Sequence, residues 1–167
     1  MTAIHGLRLL VWLQTVHVVE ASSHAGSAMH SETIRLRRTF SVRPRSQDLL
    51  REVPCRSLAP AAELRVRVMD RDMLEVAGEL VAHGTSVAVL NMACARHPGG
   101  GVARGVGAQE ENLYRRSDML RLQQDKPRLY PLRLGSCLLS RGVRILRGAE
   151  ADGYPFLPSS FVVSVIS

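Results

Sequence analysis

Residues 86–120, SVAVLNMACARHPGGGVARGVGAQEENLYRRSDML, limit what this chain can fold into more than any other stretch. Val87, Ala88, Val89 and Leu90 form a short apolar run rich in β-branched residues, which predicts a strand buried on both faces. Pro98, Gly99, Gly100 and Gly101 then interrupt regular structure. Gln109, Glu110 and Glu111 follow, and the spacing of Leu113, Tyr114, Ser117 and Leu120 predicts an amphipathic helix. A strand, a glycine loop and a helix in that order bring bare backbone N–H groups and a helix N-terminus toward an anionic or polar ligand.

The chemistry of each part is specific. Consecutive glycines carry no Cβ, so the main chain can take positive φ and lie against a sugar or phosphate. Carboxylates in a first helical turn sit where the macrodipole favours negative charge. Neighbouring helical residues point about 100° apart, so Glu110 and Glu111 are expected to do different work. One faces the glycine loop, and the other makes a side contact or caps the helix. Spacing alone leaves an ordinary reading open beside this one, a flexible turn followed by an acidic helix start.

The whole pattern resembles a known signature. Pro98-Gly99-Gly100-Gly101, seven residues (102–108) and Gln109-Glu110-Glu111 are similar to the glycine triplet, short spacer and Gln-Glu-Glu of the poly(ADP-ribose) glycohydrolases. Val89-Leu90-Asn91 before the loop and Leu113-Tyr114-Arg115-Arg116-Ser117 after it resemble the microbial-type branch. The resemblance extends more weakly from about Leu64 to Ser167.

It implies an α/β chain with a three-layer macrodomain-like fold, a mixed sheet and hydrolysis of ribose–ribose O-glycosidic bonds in poly(ADP-ribose). Such a reaction passes through an oxocarbenium-like state and needs an acid for the leaving oxygen, then a base for water. One carboxyl group can serve both steps in turn. By resemblance Glu111 is the acid/base and Glu110 positions the ribose. Gly99, Gly100 and Gly101 hold ribose and diphosphate through their main chain, Asn91 hydrogen-bonds the substrate, and Gln109 orients its neighbours. The implied partner is poly(ADP-ribose) or an ADP-ribosylated protein; no metal or organic cofactor is implied.

Two departures keep alternatives open. Cys94 stands where the family often has a small polar residue, which removes one expected ribose contact. Phe161 to Ser167 resembles a strand after which the family continues into a further phosphate-binding loop, so the fold is expected to be incomplete at its C-terminal end. A non-catalytic ADP-ribose-binding module, or a degenerate truncated relative, is therefore the alternative reading.

A third reading comes from charge. The formal net charge is +7, nearly all of the positive charge is Arg, and a basic surface suits a polyanion. The charges form no lysine-rich run and no aromatic residues interleave with them, so support for nucleic-acid binding is slight. The loop lacks the Gly-Lys-Ser/Thr ending of a P-loop, and no GxGxxG follows a strand. No Ser-His-Asp or Cys-His motif supports another hydrolase.

The remaining chain fills in a domain. With 167 residues, 46% hydrophobic and only 4% aromatic, one aliphatic core is expected. Cys55, Cys94 and Cys137 offer neither zinc spacing nor a disulfide framework, which predicts a reduced, intracellular chain, cytoplasmic or nuclear. His97 is the one histidine beside the glycine loop. Leu9 to Val19 is apolar but broken by Gln14 and His17, too short and polar to span a bilayer. Residues 1–28 are expected to be a flexible or targeting extension, organellar targeting included, ahead of a family-like domain at 29–167.

Leu64, Val66 and Val68 alternate with Arg65 and Arg67, predicting a half-buried strand. Asp70 or Asp72 can cap the next helix, whose apolar face is Met73, Leu74, Ala77, Leu80 and Val81 and which stops at Gly84. With the 86–92 strand this makes a parallel βαβ unit. Further strands are expected around Val143–Leu146 and Phe161–Ile166.

Overall fold

A computed structural model describes residues 2–24, 33–35, 65–121, 130–132 and 137–167. The helices are α1 (Ala3–His24), α2 (Met73–Ala82) and α3 (Gln109–Arg116), and the strands are β1 (Thr33–Arg35), β2 (Ala88–Leu90), β3 (Leu138–Arg147) and β4 (Phe156–Ile166). The strands form one sheet in the order β1-β3-β4-β2. β3 is antiparallel to both β1 and β4, whereas β2 runs parallel to β4 in the register Ala88↔Ser164, Val89↔Val165, Leu90↔Ile166. The sheet is therefore mixed, as the resemblance implied.

One core joins all three helices to the sheet. Trp12 of α1, Leu74 and Ala77 of α2, and Leu113 and Tyr114 of α3 pack with Val89, Val143, Ile145, Val163 and Val165. On the opposite side of the strands Val162 and Ile166 are exposed. The described residues thus build two of the three expected layers. No described helix is long and apolar enough to cross a membrane.

Local sequence explains α2 well. Asp72 takes an extended conformation and its carboxylate accepts the Leu74 and Glu75 N–H groups, both at 3.0 Å, which satisfies donors left free by the first turn. Gly84, at φ +80°, ends the run in the left-handed conformation that favours glycine. In α1 the buried residues Val11, Trp12, Thr15 and Val19 fall on one helical stripe, and that stripe lies against α3.

Four expectations need correction. Residues 65–71 form no strand, and Val66 and Val68 are 79% and 96% exposed; Leu64 lies outside the described residues. Alternation makes a strand only where a neighbour takes up the backbone groups, and among the described residues none does. The βαβ unit consequently does not form, and β2 takes its parallel partner from β4. β2 itself is not buried on both faces: Val89 is buried but Leu90 is 60% exposed, because among the described residues β2 stands at one edge of the sheet and helices cover only its inner side. Finally, α3 stops at Arg116. Ser117 is extended, returns its hydroxyl to the Leu113 carbonyl at 2.7 Å, and bridges to Ile145 of β3. The strands expected at 143–146 and 161–166 are present inside the longer β3 and β4.

Candidate active site

The site is built where β2 ends and α3 begins. Asn91 extends the β2–β4 pairing by donating its N–H to the Ile166 carbonyl at 2.7 Å. Its side-chain amide donates to Ser167 Oγ at 3.0 Å, while its carbonyl oxygen Oδ1 is buried without a hydrogen-bond partner among the described residues. An orphaned buried acceptor is costly and marks where a donor from a ligand would be welcomed.

Three successive side chains of α3 then fasten the loop. Gln109 accepts the Met92 N–H at 2.9 Å and donates to the Leu90 carbonyl at 2.8 Å, splinting the helix start to the end of β2. Glu110 accepts the N–H groups of Cys94 at 2.8 Å and Gly99 at 3.0 Å, one on each oxygen. Glu111 accepts the Gly101 N–H at 2.7 Å through Oε1. Charge-assisted bonds of this kind, at the positive end of a helix, let two carboxylates be buried side by side. Glu110 is 3% and Glu111 6% exposed.

Both acids therefore face the glycine loop, contrary to the expectation that only one would. The loop curls over the helix start, so side chains that diverge by a helical step still meet it. Gly100 lies between them at φ +51°; a Cβ there would overlap Glu111 Oε1 and sit 3.1 Å from Glu110 Oε2. Only glycine fits this point of closest approach.

Asn91, Gly99, Gly100, Gly101, Gln109, Glu110 and Glu111 are thus brought together. His97 is exposed. Cys94 departs from the family in its side chain, but its contact to Glu110 is made by the main chain, which the departure leaves untouched. Among the described residues no three His, Cys, Asp or Glu side chains gather as they would around a metal ion.

Sequence reasoning missed three participants. Tyr130 reaches this region on a segment tied to the loop by the Leu132 N–H and the Ala95 carbonyl, 2.7 Å apart. Its phenol is pushed up to about 12, by burial first and then by the negative charge of Glu110 and by Cys94, so it stays protonated at neutral pH. Arg115 is fully buried, donating to the Val106 and Arg8 carbonyls, and its own carbonyl accepts the Thr15 hydroxyl at 2.8 Å. Arg8, from α1, lies against one side of Gly107: a Cβ on that glycine would overlap the Arg8 guanidinium. The only local hint was the Leu113–Ser117 motif, in which Arg115 had no assigned role. Arg116, its neighbour, forms a two-pronged pair with Asp72 at 2.7 and 2.9 Å, locking α3 to the cap of α2.

The model of the microbial-type poly(ADP-ribose) glycohydrolase catalytic domain matches residues 14–141, opening inside α1 and covering the whole site loop. Among solved structures, the chain is similar to poly(ADP-ribose) glycohydrolase from Thermomonospora curvata, at 25% identity and a TM-score of 0.66 over 95% of this chain and 62% of that one. A mutant of that enzyme gives a TM-score of 0.68 at the same identity, over 95% and 61%. Its complex with the inhibitor ADP-HPD gives 0.61, again over 95% and 61% at 25% identity. The chain thus spans about three fifths of the length of the structures it matches. A comparison with curated proteins gave no match. The family match over most of the chain, the shared fold and the glycine loop closed on two buried glutamates lead to one assignment: this chain belongs to the microbial-type poly(ADP-ribose) glycohydrolase family, in its catalytic domain.

Proposed function

We propose that the chain hydrolyses ribose–ribose O-glycosidic bonds in poly(ADP-ribose) and releases ADP-ribose, with Glu111 as the single acid/base. One observation carries this reading. The Glu111 carboxyl is buried and fixed through one oxygen to Gly101, while Oε2 has no hydrogen-bond partner among the described residues. A carboxyl held this way has one oxygen aimed and one free to move a proton. It protonates the departing ribose oxygen as the oxocarbenium character grows, then takes a proton from the water that attacks the anomeric carbon.

The other residues position the sugar. Glu110 spends one lone pair of each oxygen on the loop main chain, and the remaining lone pairs accept ribose hydroxyls. The unpartnered Asn91 Oδ1 accepts a further hydroxyl. Gly99, Gly100 and Gly101 supply the approach surface for ribose and diphosphate, and Gln109 holds the loop in register. That the similar Thermomonospora enzyme binds the inhibitor ADP-HPD supports a ligand of this class.

The test is release of ADP-ribose from labelled polymer. Glu111→Gln keeps the acceptor for Gly101 and loses the proton, and is expected to lower turnover about 10³-fold or more. Release that survives this substitution would defeat the role of Glu111. Micromolar ADP-ribose binding without turnover in the unsubstituted protein would replace the enzyme reading with that of a binding module.

A further inference from the structure

The loop that carries the site is gripped from behind by residues that precede the family match. Gly101 N–H is the donor to Glu111, and the turn that follows folds back on Gly101, because the Val106 N–H donates to the Gly101 carbonyl at 3.3 Å and the Arg104 N–H to the same carbonyl at 2.8 Å. The three residues 105–107, which lead from this turn toward α3, are each met by a specific side chain, although Val106 and Gly107 keep an exposed side. A Cβ on Gly105 would lie 2.9 Å from the His5 ring, the Val106 carbonyl accepts from Arg115, and Gly107 lies under the Arg8 guanidinium. Arg8 is itself held by Glu150, with Nε 2.7 Å from Oε1 and both side chains 20% exposed. Glu150 belongs to a short turn after β3, so the clamp is anchored to the sheet.

We propose that Arg8 is a positioning residue, clamping the Gly105–Gly107 turn between α1 and the sheet so that the Gly101 N–H and the first turn of α3 keep the Glu111 carboxyl on target. Its effect on turnover rests on the glycosidase reading above; the clamp itself does not. A guanidinium suits this task. Its planar face lies on bare glycine backbone while its edge meets the carboxylate of Glu150. Arg115 grips the neighbouring carbonyl on the inner side, so the turn is held between two arginines. The family match begins at residue 14, so Arg8 lies ahead of the matched residues.

Three variants of the full chain test it: Arg8→Ala, Arg8→Lys and Gly107→Ala. In Gly107→Ala the added methyl displaces the Arg8 head from the other side and leaves α1 intact. Amide exchange is followed over residues 101–107 and over β3, together with kcat and KM on poly(ADP-ribose). For Arg8→Ala and Gly107→Ala, exchange at 101–107 rises about tenfold with β3 unchanged. Turnover kcat falls about tenfold with KM within about twofold, since a misplaced carboxyl costs chemistry more than binding. Arg8→Lys, which keeps the charge facing Glu150, recovers most of both. Exchange at the unsubstituted rate in both variants overturns the proposal, as does a rise spread equally over β3, which would mark a loss of general stability only. Should Arg8→Ala fail to fold, Gly107→Ala decides by the same readouts. Should the unsubstituted chain release no ADP-ribose, the glycosidase reading falls alone and exchange still decides the clamp.

Discussion

Glu110, Glu111, Arg115 and Arg116 lie on one short helix and are 3%, 6%, 0% and 2% exposed, whereas Val66 and Val68, in the segment before α2, are 79% and 96% exposed. Charges are inside in one region and valines outside in the other. The difference is in the partners each region is given. Every buried charge on α3 meets a fixed main-chain or side-chain group: N–H groups of the loop for the two acids, carbonyls for Arg115, Asp72 for Arg116. The 65–69 valines have β propensity and correct alternation but no adjacent strand among the described residues. Burial follows from what is offered opposite a side chain, and hydropathy alone does not decide it.

That contrast can be broken from the site side first. Gly100→Ala places a methyl against both carboxylates at a φ that disfavours any side chain. We expect a loss of about 10²-fold in ADP-ribose release from the displaced Glu111, with about 1–3 kcal/mol of destabilisation in urea from strain. A variant with unaltered activity would mean that the close approach at Gly100 is not needed.

A smaller effect is expected for Asp72→Ala, which removes the α2 cap and leaves the Arg116 guanidinium, 3% exposed, without its carboxylate. A buried cation losing its partner and a helix losing its cap suggest about 2–3 kcal/mol, less than for a fully buried pair because Asp72 is 32% exposed. Urea unfolding would measure it.

The same pair gives a pH dependence of known sign. Burial pushes the Asp72 carboxyl up, but the Arg116 hydrogen bonds and charge, with the Leu74 and Glu75 N–H groups, bring it below its ordinary value. Glu150 behaves likewise: burial raises it, and hydrogen bonds from Arg8 and Tyr154 outweigh that and lower it. A carboxyl lowered by folding stabilises above its unfolded pKa and loses this as pH falls through the folded value. The stability difference between the unsubstituted chain and Asp72→Ala should thus hold near neutral pH and shrink below about pH 4. A difference that stays flat down to about pH 2 would remove the ion pair from the account.

The smallest effect belongs to the exposed region. Val66→Thr and Val68→Thr should each change stability by less than about 0.5 kcal/mol. A larger loss would show that this segment is covered in solution.

What could be read from the chain alone follows the range of the interactions. Asp72 as cap, Gly84 as stop, and the strand–glycine–helix order of residues 86–120 were legible because each is written within a few residues. That Gln109, Glu110 and Glu111 belong with the glycine loop was suggested only by the joint spacing of the signature, and that both acids face the loop was not legible. The partner of β2 was not, since β4 meets it from a sequence separation of 76 residues at Asn91 and Ser167, and no local pattern encodes that. Nor were Arg8 and Arg115. An arginine buried against carbonyls looks, in sequence, like any arginine on a solvated helix face.

The parallel pairing of β2 with β4 also constrains how the candidate site comes into being. The strand end that presents Asn91 and launches the glycine loop is secured on its inner edge by residues near Val165. During synthesis the loop and α3 therefore emerge long before the strip of backbone that seats them, and closing so large an interval is slow compared with forming a local hairpin. Glu110 and Glu111 meet N–H groups only 10 to 16 residues away, but the strand end that launches their loop is seated only when β4 pairs with it. The geometry of the candidate site would be completed in that step, together with docking of β4.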